Sequence, residues 1–322
     1  MGYSVVIRTI GDSPFLENEL REIYSQSVKP EKVRIYLPEG GHAPGCKVAD
    51  EEYLFVRKGM MHQRLLPYDD ISSDYILMLD DDVSLEYDSV EKLIRIAEKY
   101  DADLLGVDTF KNHQLPFSLK VKAAVTNLVV PHFSKKWAFK IHKNGSFSYN
   151  NNPRRNYYIS QSCAGNAMLW KTDTYKNLNI SDELWLETLR YTYSEDMLQS
   201  YKVYKNGMKL GVVFNSGIRH LDFKSASASY QADPQKIKIR TIAQFAIWWR
   251  TCYELGNTGS ISKFLSAFSF SFKMVWLFVL FLSLSLVKFD FSYCSNFLKG
   301  LSEGWKFVHS EPFRSLRPYV IQ

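Results

Sequence analysis

The chain has 322 residues, 46% hydrophobic and 23% charged, which gives it a sizeable core and argues against intrinsic disorder. Its net charge of +6 is unevenly placed. Residues 1–110 hold 12 basic and 22 acidic side chains, residues 111–172 hold 10 basic and none acidic, and residues 223–322 hold 12 and 5, so different stretches are expected to meet different partners.

Four scattered cysteines (Cys46, Cys163, Cys252 and Cys294) form no CxxC pair, which points away from a zinc site or a disulfide scaffold and towards a reducing, cytosolic setting. The N-terminal run Tyr3–Ile7 reads as a strand rather than a signal peptide. Ser13 and Pro14 read as a helix N-cap and first position, with Leu16, Leu20 and Ile23 at helical spacing. A strand is expected over Val33–Leu37, and a strand covered on both faces over Tyr75–Leu79. Asp88 and Glu91 form a capping-box-like start for a helix, and Leu104–Val107 is another short strand. This alternation predicts an α/β fold with a mainly parallel sheet, in which ligands gather at the carboxyl ends of the strands. Periodicity fades over 111–160, read as a basic, aromatic insertion of long loops. Strand and helix signals return at Cys163–Trp170, Ser194–Tyr204 and Leu210–Phe214. Beyond about Leu221 the chain becomes basic, aromatic and helical, which divides it into a domain over 1–222 and a helical region over 223–322.

Asp80-Asp81-Asp82 follows the apolar strand directly. Three adjacent carboxylates repel one another and gain from a cation. Strand alternation would point Asp80 and Asp82 to one side and Asp81 elsewhere. Hard oxygen ligands suit Mg²⁺ or Mn²⁺ bridging to phosphate, and a solvated acidic turn is the plainer alternative. Glu195-Asp196 opens a helix, where the dipole favours negative charge with or without catalysis. His220 follows the Leu210–Phe214 strand and, taken alone, reads more readily as a structural histidine than as a ligand.

Taken in order, these residues resemble the family 2 glycosyltransferases of the GT-A fold, the bacterial members that build surface polysaccharides. The likeness runs from about residue 3 to residue 225. Ser4–Thr9, including Arg8 and Thr9, resembles the opening strand and nucleotide-binding turn. Val56–Gly59 with Gln63-Arg64 resembles the segment that closes on the nucleotide, although Gln63 stands where alanine is usual. Leu79–Asp82 is similar to the DxD strand end, Cys163–Met168 with Gly165 and Asn166 to the stretch beside donor sugar and acceptor, and Tyr193–Asp196 to the E-D-x-x-L helix. His220, with Ser225 behind it, sits where many members supply a metal ligand. The base-reading turn is replaced by Leu37–Gly40, where Glu39 is the substitute, and the Q-x-x-R-W signature of processive synthases is absent as such.

The resemblance implies sugar transfer from a nucleoside diphosphate to an acceptor hydroxyl, with inversion and one sugar per event. It implies a cation, Mn²⁺ or Mg²⁺, on Asp82 and His220 with Asp80, or Asp80 on ribose instead. Arg8, Thr9, Glu39, Gly59, Arg64, Asp80 and Asp81 would bind the donor, Asp196 would be the base, and Glu195 would orient the helix start or acceptor. The acid-free stretch, with Lys120, Lys122, Lys135, Lys136, Lys140, Arg154 and Arg155, reads as an acceptor site for a glycan or lipid-linked acceptor or as a solvated face. No nucleic-acid motif accompanies it. The apolar segment 264–287, flanked by lysines, reads as an interfacial anchor at the cytoplasmic membrane face, as a span, or as a core or oligomer contact. A metal-dependent nucleotidyltransferase and a non-catalytic sugar-nucleotide-binding subunit are the competing readings.

Overall fold

In the computed structural model, residues 1–43, 45, 47–108, 121, 132, 134–189, 194–221, 233–254 and 259–321 are described. Cys46, Lys120, Lys122, Tyr193 and Ser225, and with them the proposed boundary at 222 and much of the 111–133 stretch, lie outside these residues.

An eight-stranded sheet runs in the order β3-β2-β1-β4-β10-β6-β11-β9. Its strands are β1 (Tyr3–Arg8), β2 (Lys32–Pro38), β3 (Glu52–Val56), β4 (Tyr75–Asp80), β6 (Leu104–Val107), β9 (Tyr157–Ile159), β10 (Ala167–Lys171) and β11 (Leu210–Val213). β1 pairs in parallel with both β2 and β4, and β6 in parallel with β11. β10 and β9 are antiparallel to their neighbours, so the sheet is mixed but mainly parallel, as expected. Strand alternation divides the core: Val5 and Ile7 face one hydrophobic cluster while Val6 faces the other. β4 is buried on both sides, which accounts for its unbroken apolar run.

The helices Leu16–Ser25 and Ser89–Tyr100 cover one face. The first starts later than Ser13-Pro14 predicted: Ser13 instead donates its hydroxyl to the Asp81 carbonyl, 2.5 Å away, which ties this turn to the aspartate cluster. The predicted capping box is also not formed. Asp88 pairs with Lys92 one turn along the same helix at 2.8 Å, and Glu91 accepts from the Ser27 hydroxyl at 2.8 Å and pairs with Arg95, so both side chains are taken up by other partners.

Part of the expected loop insertion is folded. β7 (Phe139–Ile141) and β8 (Phe147–Tyr149) form a hairpin whose rings pack on each other and on Phe214. Phe139 is buried in the core, whereas Phe147 and Tyr149 are half-buried. Lys135, Lys136, Lys140, Arg154 and Arg155 are exposed.

The C-terminal helices Pro234–Trp248 and Ser292–Val308 complete the other face, and Ser260–Lys288 packs on them in a separate cluster. Ile242, Ala243, Ala246 and Ile247 join the sheet's core cluster. Gly300 and Gly304 let Ser292–Val308 approach the Pro234–Trp248 helix: a Cβ on Gly300 would lie 2.7 Å from Thr241 Cβ, and one on Gly304 2.9 Å from Phe245 Cβ. A buried ion cluster joins the two parts of the chain. Glu183, 0% exposed, accepts from Arg250 Nη2 at 2.9 Å and Lys202 Nζ at 3.1 Å. Burial opposes the charge on Glu183, but Arg250 and Lys202 outweigh it and hold the carboxyl below its ordinary value.

Ser260–Lys288 is long and apolar enough to cross a membrane. Its inward face carries Ser266, Phe270, Lys273, Met274 and Ser285, whereas Phe264, Phe268, Val275 and Val287 are 69%, 64%, 59% and 77% exposed. Apolar side chains of this helix therefore face outward as well as inward.

Candidate active site

The register of β1 on β4 places Arg8 opposite Asp80, so both strands deliver charged residues to one carboxyl edge of the sheet. Arg8 Nη2 donates to Asp80 Oδ1 and to the Gly165 carbonyl, each at 2.8 Å. Arg64, from the short helix Met60–Arg64, donates to Asp80 Oδ1 at 3.2 Å and pairs through Nη1 with Glu195 at 3.0 Å. Burial would raise the Asp80 pKa, but Arg64 and Arg8 more than offset it and keep the carboxyl below its usual value. A cavity of about 330 Å³ opens here, lined by Arg8, Thr9, Arg64, the three aspartates and His220. Arg8 Nε and Nη1 are buried in this wall without a hydrogen-bond partner among the described residues.

The strand ends at Asp80, and Asp81 and Asp82 lie in a turn. Strand alternation therefore stops one residue too early to sort the three carboxylates, and one expectation needs correction. Asp80 pairs with Arg8 and Arg64 and lines the same cavity as Asp82. Asp81 does not point elsewhere: it accepts from the Thr9 hydroxyl and lines the same cavity. Burial pushes Asp81 up, while the Thr9 hydroxyl pulls it back.

Asp82 and His220 are brought together as expected. β12 (Ile218–His220) pairs with β5 (Val83–Leu85), and the Leu221 N–H donates to the Asp82 carbonyl at 2.8 Å. His220 Nε2 lies 3.0 Å from Asp82 Oδ2, with both side chains less than one-fifth exposed. Two ligands each about 2.1 Å from an octahedral ion lie about 3 Å apart, so this pair fits adjacent positions on one cation. No group of three His, Cys, Asp or Glu among the described residues has metal-site geometry. A cation here would need further oxygens from phosphate or water, which is how Mg²⁺ commonly binds.

Asp196 stands beside the same arginine. A Cβ on Gly165 would lie 2.9 Å from Arg64 Nη1 and 3.1 Å from Asp196 Cβ, so only glycine lets the two approach across it. Asn166 follows, and its carbonyl accepts from the Asp80 N–H at 3.0 Å. The Asp196 carboxyl accepts from the Met197 N–H at 2.7 Å. Burial, followed by the charge of Glu195, raises its pKa to about 7 against the pull of Met197 and Arg64. Such a carboxylate is matched to proton removal near neutral pH.

Two expected donor residues lie outside the cavity wall. Glu39 is exposed on the turn after β2, and Gly59 sits before the Met60–Arg64 helix, against Glu187. Two residues in supporting positions went unassigned. Gln63 donates to the carbonyls of Thr9 at 2.9 Å and Tyr36 at 3.1 Å, stitching β1 to β2 beneath the cavity. Its departure from the usual alanine was the available signal. Glu187 accepts from the Met61 N–H at 2.6 Å and so caps the helix that carries Arg64, a tertiary contact with no local signature.

Residues 3–121 match the glycosyl transferase family 64 domain. That stretch contains Arg8, Arg64 and the three aspartates and ends before Gly165, Asp196 and His220; the family number differs from the family 2 likeness of the motifs. No curated protein matches the chain. Among solved structures, the chain is similar to Staphylococcus aureus TarS 1–349 in complex with UDP-GlcNAc. The identity is 11% and the TM-score 0.52, with 94% of this chain and 80% of that one covered. It is also similar to GalNAc-T7 with UDP, GalNAc and Mn²⁺, at 11% identity and a TM-score of 0.47, with 90% and 58% covered. The chain thus has a mixed α/β fold similar to that of GT-A glycosyltransferases, and its N-terminal portion carries a glycosyltransferase-family match.

Proposed function

We propose that the protein is an inverting glycosyltransferase. It would move a sugar from a nucleoside-diphosphate donor to a hydroxyl of a glycan or lipid-linked acceptor in surface polysaccharide synthesis. The observation that carries this reading is one small cavity where Arg8, Arg64 and the Asp82–His220 pair converge, with Asp196 held beside Arg64. Arg8 and Arg64 supply positive charge for the diphosphate and anchor Asp80 for a ribose or sugar hydroxyl. A divalent cation, Mn²⁺ or Mg²⁺, on Asp82 and His220 would neutralise the charge developing on the leaving group. The acceptor oxygen attacks the anomeric carbon, the bond from that carbon to the diphosphate oxygen breaks, and the electron pair leaves with the diphosphate. Asp196 takes the acceptor's proton, while Glu195, paired to Arg64, positions the helix start.

We assign the catalytic role to residues 1–222 and membrane association to 223–322. The outward apolar face of Ser260–Lys288 supports attachment to the cytoplasmic membrane surface, peripheral or weakly integral. TarS was solved with UDP-GlcNAc in a similar fold, so UDP sugars head the donors to test. The test is a panel of nucleotide sugars with Mn²⁺, scored for thermal stabilisation and slow donor hydrolysis. Stabilisation by sugars of one base supports the reading, and a flat response across the panel overturns it.

A further inference from the structure

A second cavity, of about 560 Å³, adjoins the start of the helix that carries the proposed base. Ser194 and Met197, which bracket Glu195 and Asp196, line it. Its volume falls within the roughly 300–1,000 Å³ typical of small-molecule sites.

The chemistry of its walls is lopsided. Leu277, Leu280, Phe281 and Leu284 form a row from the Ser260–Lys288 helix, at the spacing of one helical face. Arg240 and Lys273 also line the cavity, and no acidic residue does. Lys273 is 8% exposed and donates to the Ser146 hydroxyl at 2.9 Å. No carboxylate among the described residues lies within ion-pairing distance of it. A buried ammonium without a counter-ion is costly, so a site of this kind favours an anion.

The mouth of the cavity borders the outward apolar face. Leu280 lines it and is still 44% exposed, and Val279 and Leu286 on the same helix are 41% and 55% exposed. The cavity therefore links a lipid-compatible surface to the neighbourhood of Asp196.

We infer that this cavity holds the apolar chain of a membrane-resident acceptor whose anionic head pairs with Lys273 and Arg240, presenting its hydroxyl towards Asp196. The inference rests on the transferase reading and narrows its acceptor to an anionic, single-chain lipid. A soluble glycan would leave the leucine and phenylalanine row unused and the buried ammonium unpaired.

The test measures binding of dodecyl phosphate, dodecyltrimethylammonium and inorganic phosphate to the full chain, each amphiphile below its micelle-forming concentration. The wild type is expected to prefer dodecyl phosphate over the cationic amphiphile by roughly tenfold or more and to bind inorganic phosphate far more weakly than either. Lys273→Met is expected to erase the head-group preference. Leu284→Trp, which fills the cavity, is expected to weaken dodecyl phosphate binding by roughly tenfold. Equal affinity for the two head groups, inorganic phosphate binding as tightly as dodecyl phosphate, or a Leu284→Trp variant with wild-type affinity would each overturn the inference. Stabilisation of every sample by a nucleotide sugar with Mn²⁺, read at the separate donor cavity, reports folding. Donor binding without amphiphile selectivity defeats the inference alone. Amphiphile selectivity without donor binding in the wild type defeats the transferase reading, and the acceptor role with it.

Discussion

Arg8, Arg64 and three aspartates share one small cavity at the sheet edge, whereas the second cavity sets two cations in a wall of leucine and phenylalanine. In the first, opposite charges lie close and compensate one another, as Asp80 does between Arg8 and Arg64. In the second, the cations have no acidic neighbour in the wall. A self-compensated polar site can be held ready for a charged donor, while a buried ammonium with no carboxylate beside it among the described residues, as at Lys273, favours a ligand that brings the missing charge. The two sites meet at the start of the Glu195–Lys205 helix, where Arg64 reaches Glu195 from one side and Ser194 and Met197 wall the other cavity.

The comparison can be broken at that meeting point. Asp196→Asn should cost transfer about 10²–10⁴-fold, the range of general-base contributions, with metal-dependent donor binding retained. Steady-state rates beside a donor titration check this, and wild-type-like turnover would remove Asp196 from the role. The next largest effect concerns the ion cluster that joins the Glu195–Lys205 helix to the C-terminal region. Glu183→Ala leaves Arg250 buried and unpaired and Lys202 with Asp182 alone, 4.0 Å away, and should lower unfolding stability by about 3–5 kcal/mol in a denaturant titration. Because the folded-state Glu183 carboxyl is held below its ordinary value, its stabilisation is present above the unfolded-state pKa and is lost as pH falls through the folded one.

Smaller effects sharpen the contrast. Asp82→Ala or His220→Ala should weaken Mn²⁺-dependent donor binding by about 10–100-fold and leave dodecyl phosphate binding unchanged. A calorimetric titration in which both ligands weaken together would show that the sites are not separate. The Asp196 carboxyl is raised to about 7 and must be ionised to accept a proton, so kcat/KM should fall as pH drops below that value, by about tenfold per unit. A profile flat down to pH 5 would contradict a base in this environment. On the outward helix face, Phe268→Glu should reduce partition onto anionic vesicles by about 1.5–3 kcal/mol, the cost of leaving such a side chain unburied, with soluble donor hydrolysis unaffected.

The candidate site at the sheet edge was largely legible in the sequence because its parts are local to strand ends. An unbroken apolar run followed by Asp80–Asp82 announces a buried strand and its edge, and the likeness at Arg8, Arg64 and His220 named residues that the fold does converge. What could not be read was the division of labour among them. It depends on where β4 stops and on which carboxylate the arginines reach, and no spacing rule reports either. Glu39 lies on an exposed turn outside the cavity wall, and its place in the motif order does not report that exposure. The second cavity was illegible for a different reason. Ser146 and Lys273 are hydrogen-bonded across 127 positions of sequence, and Lys273 interrupts an apolar run on the face that its helix turns inward, which no local pattern reports.

The central claim, a cation-assisted donor site with a separate base, is most directly tested by thermal stabilisation with a UDP sugar, with and without Mn²⁺. The measurement compares wild type, Asp82→Ala and Asp196→Asn. The account predicts Mn²⁺-dependent stabilisation in wild type and Asp196→Asn and little or none in Asp82→Ala. Equal stabilisation of all three proteins, or the same response with and without Mn²⁺, would contradict it.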